Sequence, residues 1–312
     1  MHYGMRKRRR FYRGVVNHVY QRTVSGCNLF YGDEDFLTFF TIFSVCVRST
    51  DVSVLSLCLM YNHFHALATA NVRRQLSDLI NHACAWYARE FNQSVSQTGR
   101  LLKKNFGSAP KRDDKAVRTA INYVGNNPVE KRLCVCPEEY RWNFIAYGNS
   151  RHPFSEPLVL RNASKPLRRA VKEVDSMVQL NLPLKFAQLS RMFRRLSAKE
   201  TEQLVDYIIS EYMFIDFEAS ASYFGSYSKM VEAMRFNTGS EYDLHEEHDS
   251  CSDKAYQEMM DCIREVRPLH PVRTVISLSR DQKLELASLL RGRTSATPYQ
   301  IFRFLHLTVA GK

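Results

Sequence analysis

In the stretch CLMYNHFHALATA, Cys58 to Ala70, two histidines stand one residue apart inside an otherwise apolar run. Alternate residues of a strand point to opposite faces, so His63 and His65 share one. Two neutral imidazoles on one face can bind a divalent ion through their lone pairs, or can sit in a core as hydrogen-bonded polar groups. The pair alone leaves both readings open. A second group lies in DDKAVRTAINYVGNNP (113–128), where Tyr123 and Asn127 are four residues apart on one face of an expected helix. A tyrosine hydroxyl, with an ordinary pKa of about 10, is a poor nucleophile at neutral pH. A basic environment and a divalent ion that polarises the group under attack make it useful. Two imidazoles and one amide oxygen would leave coordination positions open, as a catalytic ion requires. The bland alternative for Tyr123 is packing on the apolar face of an amphipathic helix.

The charge of the chain is unevenly spread. The formal net charge is +12 over 312 residues. Residues 1–155 hold 22 Lys and Arg against 11 Asp and Glu, while residues 156–312 hold 22 against 21. The excess surrounds the candidate chemistry, as expected of a half that meets a polyanion; a merely soluble basic surface is the alternative. The basic tail Arg6, Lys7, Arg8, Arg9, Arg10 and Arg13 suits phosphate contacts, with Phe11 and Tyr12 beside it for stacking, or else is a solubilising terminus. Eight cysteines show neither a C-x-x-C pair nor the spacing of a zinc site or a disulfide framework. No apolar run reaches membrane-spanning length and no secretory core follows the basic start, so a cytoplasmic location is expected.

The elements that must position these residues are legible in outline. GVVNHVYQRTV (14–24) reads as a strand, 32–48 as a helix, and 52–60 and 63–70 as two strands joined by a tight turn at Tyr61 and Asn62. A helix over 72–93, a short strand within GRLLKKNFGSA and a helix over 113–128 stopped by Pro128 follow. This order predicts an α+β fold: a ferredoxin-like split β-α-β domain with an antiparallel sheet over 1–149. A linker over 150–166, with Pro153, Pro157 and Pro166, leads to an all-helical domain over 167–312. HEEH at 245–248 has the wrong spacing for a zinc protease motif and reads as part of a solvated acidic loop. Near the end, Ser279 with Gln282 and Thr297 with Gln300 form two capping boxes, the second with Pro298 at the first helical position. Two short helices over 279–308 fit a helix-turn-helix, with Tyr299, Gln300 and Arg303 exposed toward DNA, or an ordinary helical hairpin.

MYNHFHAL resembles the MPNHVHLL motif of HUH endonucleases, and NYVGNNPVEKRL resembles the RYIHLNPVRAGL segment of REP-associated tyrosine transposases, a branch of the single-tyrosine superfamily. Three further stretches are similar in the same order: NHVYQRTVSGCNLFYGDEDFLTFF, YAREFNQSVSQTGRLLKKNF and PEEYRWNFIAYG. The resemblance spans about residues 10–148. It implies a DNA transposase that cleaves and rejoins single-stranded DNA at hairpins or palindromes through a 5′-phosphotyrosine link. It further implies His63 and His65 as ligands of Mg²⁺ or Mn²⁺, Asn127 as a third, amide-type ligand, and Tyr123 as the nucleophile. A replication-initiator-like nickase and a domesticated, non-cleaving DNA-binding protein are the alternatives. The resemblance implies single-stranded or hairpin DNA, and not a membrane, as the partner, and a monomer or homodimer. Tyr87 matches a structural or DNA-facing family position. Tyr61 stands where the family has Pro, Gly125 and Asn126 replace bulkier residues, and Lys103–Lys104 replace a Gln-Gly pair; these lysines are candidate DNA contacts.

Overall fold

The computed structural model describes residues 11–24, 26–236 and 253–307. Strand β1 (Val16–Arg22) leads into helix α1 (Asp33–Arg48), then strands β2 (Val52–Met60) and β3 (His63–Ala70). Helix α2 (Arg73–Ser94), strand β4 (Gly107–Lys111) and helix α3 (Asp114–Glu130) follow. The four strands form one antiparallel sheet in the order β2-β3-β1-β4. The sequence and the sheet order together match the α+β arrangement expected from the pattern.

Both faces of the sheet are covered, which explains the nearly continuous apolar character of β2 and β3. On one face lie α1 and α2. Phe64 of β3 meets Phe39 of α1 there, with ring centroids 5.0 Å apart. On the other face α3 packs across β2, β3 and β4. His63 and His65 alternate with Phe64, so they point toward α3. The first carboxylates of α1 sit at its N-terminus, where the helix dipole favours them.

Helix α3 runs through Pro128 to Glu130, where the sequence pattern predicts a stop. The missing N–H of Pro128 falls in the last turn, so one intrahelical bond is lost and the chain still closes: Leu133 N–H donates to the Pro128 carbonyl at 2.9 Å. Beyond a series of 3-10 turns between Pro137 and Gly148, the chain continues as α4 (Lys165–Gln179), α5 (Phe186–Phe193), α6 (Ala198–Glu211), α7 (Phe217–Ser222) and α8 (Tyr227–Arg235). Then come α9 (Lys254–Val266), α10 (Arg280–Arg293) and α11 (Pro298–Phe304). Helices α7 and α8 were not evident from the pattern, being only 6 and 9 residues long. Residues 150–166 are held down: the Phe154 N–H donates to Asp206 Oδ2 at 3.0 Å.

Both C-terminal capping boxes form as the sequence predicts. The exposure expected of Gln300 does not: it is 2% exposed, and its side-chain oxygen accepts the Thr297 N–H at 3.0 Å. The residue that caps α11 is thereby withdrawn from its surface. Tyr299 is 54% exposed, and the Arg303 guanidinium lies over its ring at 4.0 Å. The same helix is tied to the sheet half by the Tyr31 hydroxyl, which donates to the Phe304 carbonyl at 2.8 Å. Among the described residues no helix is long and apolar enough to cross a membrane.

One buried ion pair fastens the C-terminal segment to α1. Arg273, 2% exposed, donates to Asp35 and to the Ser94 hydroxyl, and its guanidinium lies 3.3 Å from the Phe186 ring centroid. Burial pushes the Asp35 carboxyl above its ordinary range, and the Arg273 charge pulls it back. Removing one partner strands the other charge in the core. Arg273→Ala is expected to cost about 3–5 kcal/mol in denaturant unfolding, and Asp35→Asn in that background to recover part of it. Equal stability of Arg273→Ala and wild type contradicts this placement.

Candidate active site

The pairing of β1 with β3 builds the site. Tyr20 lies opposite His65, Arg22 opposite His63, and His18 opposite Leu67. Directly opposed residues share a face, so His18, Tyr20 and Arg22 join the two histidines beneath α3. The His18 Nε2 and His65 Nδ1 atoms are 3.0 Å apart, both rings fully buried. The His63 ring stands perpendicular to His65, with centroids 4.9 Å apart, and its Nδ1 is 2.5 Å from Asn62 Oδ1.

Tyr123 comes down from α3 onto this group. Its ring meets His65 edge-on at 5.4 Å and His18 edge-on at 5.6 Å between centroids. Asn127, buried, follows one turn later on the same helix face. Beyond the end of α3, Lys131 is close enough to act electrostatically on His63. The helix thus runs along the histidine row from His65 toward His63. Sequence spacing brought Tyr123 and Asn127 to one helix face; the fold brings that face to the histidines.

Burial shapes the electrostatics. Loss of water holds the His63 imidazole well below its ordinary pKa, with His65, Arg22 and Lys131 adding to the effect. His18 is lowered for the same first reason, with His65 and Lys111 contributing. The two rings are therefore neutral at pH 7, the form that offers a lone pair. Two imidazole nitrogens and an amide oxygen are donor types that a divalent ion accepts. With Nδ1 of His63 at Asn62 and Nδ1 of His65 at His18, each ring would present Nε2. The buried Asn127 Oδ1 has no hydrogen-bond partner among the described residues. No cluster of three or more His, Cys, Asp or Glu side chains is arranged as a metal site among the described residues, so the set depends on the amide oxygen.

The rim is basic and aromatic. Arg22 lies 5.9 Å over the Tyr20 ring, and the Lys103 N–H donates to the Arg22 carbonyl at 2.9 Å. This places Lys103 at the His63 end of β1, with Lys104 beside it; both are exposed. Arg13 is exposed before the opposite end of β1, and Arg303 lies in α11 against Gly26. Residues Arg6, Lys7, Arg8, Arg9, Arg10 and the HEEH stretch lie outside the described residues. Tyr87 is fully buried, its hydroxyl donating to the Leu29 carbonyl at 2.6 Å, a packing role. Tyr123 is only 8% exposed, while His63 at the other end of the row is half-buried.

His18, Tyr20 and Arg22 were not singled out from sequence as site residues. The alternation in NHVYQR places all three on one face, but only the strand register says that this face is the one carrying His63 and His65.

No protein-family model matches the sequence, and no curated protein matches it. Among solved structures, the chain is similar to a REP-associated tyrosine transposase bound to a REP hairpin, at 13% identity and a TM-score of 0.36. The match covers 44% of this chain and 81% of that one. A likeness of this degree carries no weight for the chemistry, which rests on the residues themselves.

Gly107 is a structural condition of the site. It pairs with Tyr20 across β1 and β4, and a Cβ there would clash with the hydroxyl end of the Tyr20 ring. Gly107→Val is expected to destabilise by about 1–3 kcal/mol through overpacking. In the Tyr20→Ala background the same substitution should cost much less, as a double-mutant cycle by chemical unfolding would read. Equal costs in both backgrounds contradict the packing of Tyr20 on this glycine.

Proposed function

We propose that this chain is a metal-dependent transposase that cleaves and rejoins single-stranded DNA at hairpin or palindromic sites, with Tyr123 as nucleophile. The observation that supports this most is the edge-on seating of the Tyr123 ring against His65 and His18, with Asn127 one turn away and a basic rim. His63, His65 and Asn127 would hold Mg²⁺ or Mn²⁺, which supplies charge stabilisation on the non-bridging oxygens of the scissile phosphate.

In the forward step the Tyr123 hydroxyl gives up its proton to water, and its oxygen bonds to phosphorus as the bond to the 3′ oxygen breaks. The departing 3′ oxygen takes up a proton and becomes a hydroxyl. An incoming 3′-OH reverses the sequence, rejoining DNA and restoring the phenol. The phosphodiester energy is kept in the covalent link, so no nucleotide is consumed. Arg22, Lys103 and Lys104 would position the backbone through phosphate contacts. The chain would comprise an HUH domain (1–149), a linker (150–166) and a helical domain (167–312). Its α10–α11 pair, taken as a helix-turn-helix near 279–308, would add a contact through Tyr299 and Arg303.

The near-complete burial of Tyr123 favours one second reading, a DNA-binding protein that no longer cleaves. Incubation with a panel of single-stranded hairpins and Mn²⁺, followed by denaturing electrophoresis, separates the two. The proposal expects a covalent protein–DNA band that Tyr123→Phe abolishes while hairpin binding persists. Binding without any band supports the second reading. A band that survives Tyr123→Phe refutes the nucleophile assignment, and cleavage without strand joining points to a nickase.

A further inference from the structure

The buried residue that the proposed chemistry leaves unused is His18. It stands on β1, fully buried, with Nε2 3.0 Å from Nδ1 of His65. One hydrogen can lie between these nitrogens, and its owner decides what His65 can do. If His18 donates, the neutral His65 carries its own hydrogen on Nε2, and that nitrogen has no lone pair to offer. If His65 donates from Nδ1, Nε2 becomes the lone-pair nitrogen.

Resting on the reading of His63, His65 and Asn127 as ligands, we propose that His18 is the positioning residue of that set. Its Nε2 accepts the Nδ1–H of His65, fixes the tautomer with the lone pair on Nε2, and holds the ring in place for a divalent cation. The remaining hydrogen of His18 is then on Nδ1, a buried atom with no hydrogen-bond partner among the described residues. A buried polar atom without a partner is costly, and orienting a neighbouring ligand through the other ring nitrogen is one reason for a fold to keep it. The other ligand histidine is served by the analogous device, Asn62 Oδ1 at its Nδ1, 2.5 Å away. Both imidazoles would thus be oriented through Nδ1 by a neighbour and present Nε2, one from the turn and one from the adjacent strand.

The packing around His18 argues for orientation over mere space filling. Its ring lies 27° from parallel with that of His65, at 5.1 Å between centroids, and meets Tyr123 at 72°. It therefore touches both the proposed ligand and the proposed nucleophile, and fixes the gap between them.

The test uses Mn²⁺ alone and the full chain. His18→Leu removes the acceptor and keeps an apolar filling, whereas His18→Gln carries an amide oxygen at about the reach of Nε2. Bound Mn²⁺ is titrated by electron paramagnetic resonance, and the ¹⁵N shifts of His65 report its tautomer in the metal-free protein. Far-ultraviolet circular dichroism checks folding. The expected result is about a 10–100-fold weaker Mn²⁺ affinity in His18→Leu. His18→Gln should stay within about threefold of wild type, and His65 should lose its preference for the Nδ1–H form in the leucine variant alone. Wild-type affinity in folded His18→Leu overturns the inference, as does equal impairment of both folded variants. If neither variant folds, the wild-type His65 shifts decide alone, Nε2–H as the dominant form overturning the inference. Should the wild-type chain bind no Mn²⁺ while His65 shows the Nδ1–H form, the ligand reading fails and the His18–His65 assignment stands.

Discussion

The register between β1 and β3 is the constraint on which the site depends. It sets Tyr20 against His65 and Arg22 against His63, and brings His18 within hydrogen-bond distance of His65. Side chains alternate with a period of two, so a slip by one residue would turn the β1 triplet to the opposite face. That face already holds Phe64, Phe39 and Phe43, whose packing would be lost with it. The apolar cluster thereby enforces the polar one: the energy that fixes the register comes from the aromatic side, and the chemistry is on the other.

Tyr61 and Gly125, where the chain differs from the motifs it resembles, are contacts with its helical half. Tyr61, in the turn before His63, packs 5.9 Å from Tyr256 of α9 and 6.0 Å from Phe36, and burial raises its hydroxyl pKa well above the ordinary value. Gly125, two residues after Tyr123 and so on the opposite side of α3, leaves room for α8: a Cβ there would sit 2.7 Å from Met234 Sδ and 2.9 Å from Ile145 Cδ1. The helical half therefore bears on both the turn that aims His63 and the helix that carries Tyr123. Its own interior is continuous with that of the sheet half, and the Arg273–Asp35 pair closes the junction.

The sheet half was legible from local pattern because its strands are long and its helices strongly periodic; β2 and β3 have the bounds read from sequence. The capping boxes were equally legible, since Ser279 and Thr297 act within three residues of themselves. What escaped was anything decided across the chain. His18 meets a residue 47 positions away, a contact that no spacing rule within β3 could reveal. Gln300 could be read as a cap or as a surface residue, and the cap excluded the surface. Pro128 stops a helix interior but not a last turn.

The central claim is that Tyr123, and not the more exposed Tyr20 beside the same histidine, takes the DNA. Mass spectrometry of the nuclease-trimmed, trypsin-digested adduct tests it directly. The peptide spanning 119–131 carries Tyr123 and no other tyrosine. The account predicts a residual nucleotide on that peptide, attached to the Tyr123 oxygen. A nucleotide on the peptide containing Tyr20 would contradict it.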